Sequence, residues 1–548
     1  MPVSPARAAA FDILLRVERE SSYASELLHA PAHADLSTPD HALVTELVMG
    51  VLRWRSRLDN EIAQASSQPL AKLDLEILIA LRLALYQFLW LDRVPQRAAL
   101  HESVELVKRA RKRSAAPFVN AVLRKLSAAP PNHTPADTEI SSPEALARTL
   151  AHPQWLVERW TRAYGLAAAH QICQHNQSVP TTAIRLRTAT AEHQLNVEGI
   201  TFIPGGLLTS ARRVQAGDIT KTQAFRIGQI VIQDEASQLV AALVSPSALK
   251  EGSRILDCCA APGGKTLAIA DRNPTSAITA LELHPHRARL LQNLLRQNLL
   301  QQNSQSPAAH IQIITADAQH LPVSIPFDRV LADVPCSGTG TLARNPEIKW
   351  RLTPADIEDL QTRQTAILKN ALQLLEPEGL LVYSTCSLER EENEDVVKAS
   401  GARILSTFQR LPGRDPGDGH TSSQRYDAGQ ASDPILASSS DNSAQHCWGT
   451  APLFRRSHGR SDPAHIILAR FPARPTEYGN SCSPDGHEGP RSSTQPDSWL
   501  VVSRADSAQV LLLLIRCRRR PRIRSAARSR RTGESSPRRS QSSLRSVG

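Results

Sequence analysis

A short loop between a predicted strand and a predicted helix constrains the fold of this chain more than any other stretch. The loop reads Asp257-Cys-Cys-Ala-Ala-Pro-Gly-Gly-Lys-Thr266 and follows Arg254–Asp257, an apolar run typical of a buried strand. A strand, a glycine-rich turn and a helix form the first unit of a nucleotide-type βα fold. Gly263 and Gly264 permit positive φ and leave no side chain between backbone and ligand. Because neither a G-x-G-x-x-G pattern nor a P-loop spacing is present, a compact ligand without a triphosphate is favoured.

Length and cysteine content restrict the class of protein. A chain of 548 residues has room for about three or four domains. No apolar run is long enough to span a bilayer. The N-terminus lacks a signal-peptide pattern, since Asp12 and Arg16 interrupt its apolar residues. The eight cysteines have no regular spacing and do not indicate a disulfide framework. These features predict a cytoplasmic protein in a reducing setting, without a membrane.

The positive charge of the chain is concentrated at one end. The formal net charge is +11, and thirteen arginines after position 503 against Asp506 and Glu534 account for all of it. Residues 1–503 are therefore formally neutral. RNA binding by the folded part must depend on local patches.

The N-terminal segment, residues 5–128, is predicted to be all-helical. Apolar residues recur at helical spacing in Arg7–Val17, and Leu75–Leu91 has the pattern of a helix buried on all sides. A basic cluster, Lys108–Arg113, falls at a helix end. Favourable placement on the helix dipole and contact with phosphate both explain this cluster.

Two further regions follow a linker rich in Pro, Asn and Thr. Residues 145–225 mix helical and alternating patterns and predict a small α+β module. Arg185 and Arg187 lie on one face of a predicted strand there, either to contact RNA or to solvate an outer face. In residues 226–419, strands alternate with helices, which predicts a doubly wound, mostly parallel sheet.

Acidic residues and cysteines follow several strands of this predicted sheet. Ligands bind beyond the carboxyl ends of such strands. Glu282 ends one strand, where a carboxylate can accept ribose hydroxyls, and Asp317 follows the next. The stretch Asp333-Val-Pro-Cys-Ser-Gly-Thr-Gly340 and the stretch Tyr383-Ser-Thr-Cys-Ser387 each place a cysteine just past a strand. We expect the two cysteines to meet over one pocket as partly exposed thiolates, and their spacing predicts no metal site.

The three stretches together resemble the RsmB (Sun/Fmu) family of bacterial ribosomal RNA (cytosine-C5) methyltransferases. The N-terminal segment resembles the NusB-like RNA-binding domain that this family carries, through Arg7–Leu14, Glu46–Arg53 and Phe118–Arg124. The resemblance covers residues 5 to about 419 and departs from the family at Asn345, where His is common. It implies an all-α NusB-like bundle, a small α+β module and an α/β Rossmann-like S-adenosylmethionine-dependent methyltransferase domain.

The resemblance also implies a set of site residues and a reaction. Cys386 is the implied nucleophile, Cys336 assists product release, and Asp333 lies beside the reaction centre. Glu282 is expected to hold the ribose of S-adenosylmethionine and Asp317 its adenine. The methionine side is expected to contact the loop formed by Cys259, Ala260, Ala261, Pro262, Gly263, Gly264 and Lys265. The implied substrate is small-subunit ribosomal RNA, and the protein is expected to be a monomer.

The implied chemistry suits these residue types. C5 of cytosine is a poor nucleophile, and addition of a thiolate at C6 converts the ring into an enamine that attacks the methyl group. Asp333, protonated or hydrogen-bonded at N3, stabilises the developing charge. The base must leave its stack to be reached, which favours a loop or partly unfolded RNA. Transfer RNA is the second substrate considered. A non-catalytic RNA-binding or assembly factor is the alternative from another class.

The chain departs from the family pattern after Gly419. Residues 420–548 are rich in Ser, Arg, Pro and Gly and contain no lysine. We interpret this stretch as an out-of-frame or otherwise non-homologous tail that is disordered. An acquired Arg-rich RNA-binding arm is the rival interpretation. A missing set of last strands would leave one sheet edge open.

Overall fold

The computed structural model describes residues 3–33, 35–128, 140–246, 249–300, 310–322 and 324–408. Beyond these it describes only the backbone of three short strands. No helix in these ranges is long and apolar enough to cross a membrane.

The N-terminal segment is a bundle of six helices, as the periodicity predicts. Their bounds are α1 Pro5–Glu20, α2 Ala24–Leu28, α3 Thr38–Ala65, α4 Leu75–Trp90, α5 Gln96–Arg109 and α6 Ala116–Ala128. Ten residues of α4 are buried, which explains its nearly continuous apolar sequence. One of them, Arg82, donates from Nε and Nη2 to the two carboxylate oxygens of Asp59 at 2.6 and 2.8 Å. This pairing offsets the cost of a charge in the bundle core.

The basic cluster at the end of α5 is largely paired with acids. Lys108 contacts Glu105 at 2.6 Å, Arg109 contacts Asp12 at 2.7 Å, and Lys112 contacts Asp74 at 2.9 Å. All three pairs are at least partly exposed, so each contributes little to stability.

The small α+β module is built on a four-stranded antiparallel sheet. Its elements are α7 Pro143–Thr149, α8 Gln154–Tyr164, α9 Leu166–Gln177, β1 Ala183–Leu186, α10 Ala191–Val197, β2 Thr201–Pro204, β3 Ala211–Ala216, α11 Gln223–Arg226 and β4 Ile230–Ile232. The strand order is β2-β3-β1-β4. Because β4 pairs with β1, this sheet extends past residue 225, where the sequence pattern placed the end of the module.

The remaining elements form a seven-stranded sheet with helices and, from β11 and β12, a separate two-stranded sheet. They are α12 Glu235–Val244, β5 Arg254–Asp257, α13 Gly264–Arg272, β6 Ala277–Glu282, α14 Pro285–Leu300, β7 His310–Thr315, β8 Phe327–Asp333, α15 Ile348–Arg351, α16 Pro354–Gln373, β9 Leu375–Thr385, α17 Glu394–Ser400, β10 Arg403–Phe408, β11 Ile466–Ile467, β12 Trp499–Leu500 and β13 Leu511–Arg516. The order is β10-β13-β9-β8-β5-β6-β7. Strands β7, β6, β5, β8 and β9 lie side by side in that order and pair in parallel, as the α/β alternation predicts. The order reverses at β5, so a crevice opens at its carboxyl end.

One strand of this sheet comes from the region predicted to be a disordered tail. Leu511–Arg516 pairs antiparallel with β9 on one side and with β10 on the other. A largely disordered tail remains a prediction for the rest of residues 420–548, whereas β13 is a strand and pairs the edge of β9 that we expected to be open. The physical reason is that Leu511–Arg516 pairs with the backbone hydrogen-bonding groups that β9 and β10 would otherwise leave open. Strand β11 pairs with β12, and the rest of residues 420–548 lies outside the described residues.

Candidate active site

The loop after β5 lies at the crevice and is held by contacts from both ends. Thr266 in α13 donates from Oγ1 to Asp257 Oδ2 at 2.7 Å. Gly263 has φ +111°, and a Cβ there would lie 2.6 Å from the Leu291 side chain. A side chain at position 263 would therefore be strained and would clash with α14. The loop includes all seven residues predicted to line the cofactor, from Cys259 to Lys265.

Side chains outside the loop hold α13 in place through hydrogen bonds and ion pairs. Gln233 donates from Nε2 to the Gly264 carbonyl at 3.0 Å and accepts from Arg185 Nε at 3.0 Å. Asp271 in α13 binds Arg185 at 2.8 Å and Arg187 at 2.7 Å. Both arginine side chains are buried against α13, so neither alternative offered by the sequence pattern is right. The strand face that carries them packs on the catalytic domain.

The two predicted strand-end carboxylates lie at neighbouring strand ends, and each caps its own turn. Glu282 is buried at the end of β6 and accepts from the His284 backbone N–H at 3.0 Å. Asp317 follows β7 and accepts from the Gln319 backbone N–H at 2.8 Å. Asp317 also accepts from Gln319 Nε2 at 3.4 Å, and both carboxylates keep lone pairs for ligand hydroxyl or amino groups.

An ion pair lies between the loop and the end of β8. Lys265 Nζ is 2.7 Å from Asp333 Oδ2, and Ser384 at the end of β9 donates to Asp333 Oδ1 at 2.6 Å. Burial opposes a charge on Lys265, but the Asp333 carboxylate outweighs it and raises the pKa of the lysine. This pair joins the loop after β5 to the end of β8.

The two predicted cysteines meet at the ends of β8 and β9. Cys336 Sγ and Cys386 Sγ are 3.1 Å apart, and the Cys386 backbone N–H donates to Cys336 Sγ at 3.3 Å. The hydrogen bond with Cys386, followed by burial, raises the pKa of Cys336 well above its usual range. Both side chains are partly exposed, as predicted, but the raised pKa of Cys336 argues against the thiolate expected at that position.

Two neighbouring cysteines have a different character. Burial raises the pKa of Cys258 and, well above its usual value, the pKa of Cys259. Both therefore stay protonated and unreactive at neutral pH.

A buried carboxylate that the sequence reading missed connects the two cysteine loops. Glu392 Oε1 accepts from the Ser337 backbone N–H at 2.7 Å and from Gln364 Nε2 at 2.9 Å. Its Oε2 accepts from the hydroxyls of Ser337 and Ser387. Each of these serines directly follows one of the two cysteines. The run Glu391-Glu392-Asn393, shortly after β9, is the feature of the sequence that could have indicated this carboxylate. An acidic run at a helix start also serves as a cap, however.

The NusB-like bundle packs against the segment after the first cysteine. Trp350 donates from Nε1 to the Leu52 carbonyl at 2.6 Å, and buried Lys349 donates to the Arg53 carbonyl at 2.9 Å. Arg53 in turn donates from Nη2 to the Ala343 carbonyl at 3.1 Å. These buried contacts fix the helical domain beside the cysteine pair.

The residues around the crevice suit a nucleoside cofactor better than a metal. Asp257 Oδ1 is buried without a hydrogen-bond partner, and burial raises the pKa of this carboxyl to about 6. An acceptor of this kind at a glycine-rich turn fits a ligand with a cationic or hydrogen-bond-donating group. Among the described side chains, no group of three or more His, Cys, Asp or Glu is arranged to hold a metal ion.

Three family models match the chain in the same order as the three folded regions. The model of the NusB family matches residues 4–128. A ferredoxin-like domain of RsmF/B-like methyltransferases matches residues 152–215. The model described as 16S rRNA methyltransferase RsmB/F matches residues 245–407.

Relatives align with most of the chain. The probable ribosomal RNA small subunit methyltransferase B of Bacillus subtilis is 34% identical over 408 residues, 73% of this chain and 88% of that protein. Ribosomal RNA small subunit methyltransferase B of Vibrio cholerae is 33% identical over 423 residues, 74% of this chain and 93% of that protein. The crystal structure of PH0851 has a TM-score of 0.61 at 22% identity, covering 77% of this chain and 94% of that one, and so shows a shared fold. With its three regions in this order and relatives matched over nearly their whole length, the chain belongs to the RsmB/F family of 16S rRNA methyltransferases.

Proposed function

We propose that this protein transfers the methyl group of S-adenosylmethionine to C5 of a cytosine in small-subunit ribosomal RNA. The observation that carries the proposal is the 3.1 Å separation of Cys336 Sγ and Cys386 Sγ, next to the Lys265–Asp333 ion pair. Two thiols at such a distance suit a reaction in which one cysteine bonds to the base and the other assists. The names of the relatives favour small-subunit ribosomal RNA as the substrate.

The roles of the two cysteines follow from their protonation. The raised pKa of Cys336 keeps it a thiol at neutral pH, so it can donate its S–H to Cys386. A thiolate at Cys386 gains from that hydrogen bond and is the nucleophile. The hydrogen bonds of Glu392 with Ser337, the next residue, keep Cys336 in place.

The reaction begins at C6 of the cytosine. Cys386 Sγ forms a bond to C6, the C5=C6 electron pair moves towards C5, and N3 takes up a proton from solvent. Asp333, which is paired with Lys265, accepts a hydrogen bond from the N3–H and stabilises the adduct.

S-adenosylmethionine supplies an electrophilic methyl group for C5. The loop Cys259–Lys265 would hold it with Glu282 and Asp317, and Asp257 Oδ1 offers an acceptor that no protein group uses. After transfer, a base in solvent removes the C5 proton, its electron pair restores C5=C6, the S–C6 pair returns to Cys386, and N3 releases to solvent the proton that it took up. The Cys336 thiol donates to the departing sulfur, which makes it a better leaving group.

Methyl transfer to deproteinised small-subunit RNA from labelled S-adenosylmethionine tests the proposal. The wild-type protein is expected to produce 5-methylcytosine, and Cys386→Ala to produce none. Cys336→Ala is expected to accumulate a covalent protein–RNA adduct visible on a denaturing gel, because release depends on that thiol. Cys173→Ala is the matched control, since Cys173 is buried in α9.

The outcomes separate the alternatives. Transfer to transfer RNA but not to small-subunit RNA would overturn the substrate assignment and keep the chemistry. Transfer that survives Cys386→Ala would overturn the nucleophile. Binding of cofactor and RNA with no transfer to either RNA would favour a non-catalytic assembly factor.

A further inference from the structure

Residues 21–25 of the NusB-like domain form hydrogen bonds with the catalytic domain near the cysteine pair. Arg351 donates to the Ser21 carbonyl at 2.7 Å and to the Ser22 carbonyl at 2.8 Å. Glu347 Oε1 accepts from the Ala24 backbone N–H at 2.9 Å. The backbone on both sides of position 23 is therefore held by hydrogen bonds across the domain boundary.

Tyr23 is the residue between these anchors. Its backbone is extended, with φ −81° and ψ 131°, just before α2. Its side chain is 46% exposed, whereas Ala24 beside it is fully buried. An aromatic ring on a fixed backbone with a free face loses little conformational entropy when a ligand contacts it.

A short chain of contacts connects this segment to the nucleophile. The Gly340 backbone N–H donates to the Cys386 carbonyl at 2.8 Å, at the start of the turn that contains Thr341. Asn345 donates from its backbone N–H to the Thr341 carbonyl at 2.9 Å, and Ser25 donates to Asn345 Oδ1 at 3.3 Å. Tyr23 is thus two residues before Ser25, which contacts Asn345. Asn345 is in turn hydrogen-bonded to the turn that supports Cys386.

The electrostatics agree with this placement. Burial and then the Glu347 carboxylate raise the pKa of Tyr23, Arg351 lowers it, and a charge on Cys386 raises it further. A charge influences another group in this way only when the two are close, since exposed charges are screened over about 10 Å.

We propose that Tyr23 stacks on a nucleobase that flanks the target cytosine, so that the NusB-like domain supplies part of the substrate site. This inference rests on the proposed function. A cytosine that enters the site must leave its stack, and its neighbours in the strand then expose their faces. An aromatic ring at the rim of the site accepts such a face whatever the base. The target cytosine itself lies deeper, between Cys386 and the cofactor loop.

Steady-state kinetics on deproteinised small-subunit RNA test the inference. Tyr23→Ala and Tyr23→Leu are expected to raise the KM for RNA about tenfold while kcat changes less than about twofold, since stacking holds the strand and not the reacting atoms. Tyr23→Phe keeps the ring and is expected to retain the wild-type KM. The Kd for S-adenosylmethionine and the melting temperature are expected to stay unchanged in all three variants. Val197→Ala, at an exposed apolar position in the small module, is the control.

The outcomes distinguish this inference from the proposed function. If the wild-type protein methylates the RNA and Tyr23→Leu has an unchanged KM, the inference is wrong and the proposed function stands. An equal rise of KM in Tyr23→Phe would also overturn it, because the hydroxyl and not the ring would then be needed. If the wild-type protein transfers no methyl group, the proposed function and the inference about Tyr23 are both overturned.

Discussion

Glu392 and Ser337 form the hydrogen bond that ties the two cysteine loops together. Glu392 Oε1 accepts from the Ser337 backbone N–H at 2.7 Å, one residue after Cys336. The same carboxylate accepts from the hydroxyl of Ser387, one residue after Cys386. A buried carboxylate that touches neither sulfur therefore joins the two loops, together with the direct hydrogen bond from the Cys386 backbone N–H to Cys336 Sγ.

Glu392→Gln is expected to lower kcat about 10- to 100-fold. The amide presents N–H donors to serine groups that already donate, so the two loops must shift, and small displacements at a reaction centre have large effects on rate. Single-turnover methyl transfer measures the loss, and the Kd for S-adenosylmethionine is expected to stay constant. Glu391→Gln, at the neighbouring and partly exposed carboxylate, is the control. A wild-type rate in Glu392→Gln would show that the loops hold their positions without it.

Glu392 also illustrates what the sequence could and could not predict. Strand ends are local features, so Glu282, Asp317, Asp333 and the two cysteines could be placed at one edge of the sheet from pattern alone. The partners of a buried side chain come from distant positions, as with Arg187 and Asp271, which are 84 residues apart. The pattern showed that Arg185 and Arg187 share a face, but not that α13 covers it.

The position of β13, the last strand in the chain, could not be predicted from the sequence for a similar reason. Leu511–Arg516 is a short apolar run without alternation, and such runs do not by themselves distinguish a strand from other structures. Its place between β9 and β10 depends on pairing with residues more than 100 positions earlier. The break in the family pattern after Gly419 gave no indication of this pairing.

Mild oxidation by hydrogen peroxide is expected to inactivate the protein reversibly. The Cys386 thiolate attacks one peroxide oxygen to give a sulfenic acid and hydroxide, and Cys336, whose sulfur lies 3.1 Å away, then displaces water to form a disulfide. The product has lost two hydrogens, which intact mass spectrometry measures. Dithiothreitol is expected to restore methyl transfer. Cys336→Ala provides no second thiol, so no intramolecular disulfide is expected there. Inactivation that leaves both thiols open to alkylation would contradict this prediction.

Asp257→Asn is expected to change how stability depends on pH. Burial raises the pKa of Asp257 in the folded protein from 3.8 to about 6, so the folded state holds this proton more tightly than the unfolded state does. The resulting stabilisation is fully present below pH 3.8 and is lost as pH rises through about 6, a change of about 3 kcal/mol. Asn cannot ionise, yet it can still accept from Thr266. The melting temperature of wild type relative to Asp257→Asn should therefore fall between pH 4 and pH 7.

The exposed Asp359→Asn is the control for this pH dependence, since its carboxylate lies on the surface of α16. Parallel melting curves for wild type and Asp257→Asn over the whole range would show that Asp257 titrates alike in both states.

Lys349→Met is expected to stabilise the protein by about 1 kcal/mol at pH 7, because it removes a buried cation that no acid faces. Lys349 donates to the Arg53 carbonyl, but Gln177 Nε2 also donates to that oxygen at 3.0 Å, so the carbonyl stays bonded in the variant. Burial lowers the pKa of Lys349 well below its usual value, and the nearby Arg53 lowers it further, although the Cys173 thiol opposes this. Wild-type stability should then rise with pH towards 10.5, and the advantage of Met should shrink. Thermal melting at pH 6 and pH 9 measures both effects, and a variant that melts below wild type at pH 6 would contradict the prediction.

Two truncations are expected to differ sharply although their ends are seven residues apart. A chain that stops after Cys517 keeps β13, which pairs with β9 from Leu380 to Thr385, and is expected to melt like the full chain and to bind S-adenosylmethionine. A chain that stops after Val510 loses β13, so the edge of β9 next to Cys386 is unpaired, and Ser384, which holds Asp333, loses its strand neighbour. We expect this shorter chain to melt at a lower temperature, to aggregate through the open edge and to bind S-adenosylmethionine weakly. Equal melting and cofactor binding by the two truncated chains would show that Leu511–Arg516 does not complete the sheet.

The longer chain also lacks the eleven arginines after position 517, so its KM for RNA measures whether those residues act as a basic arm.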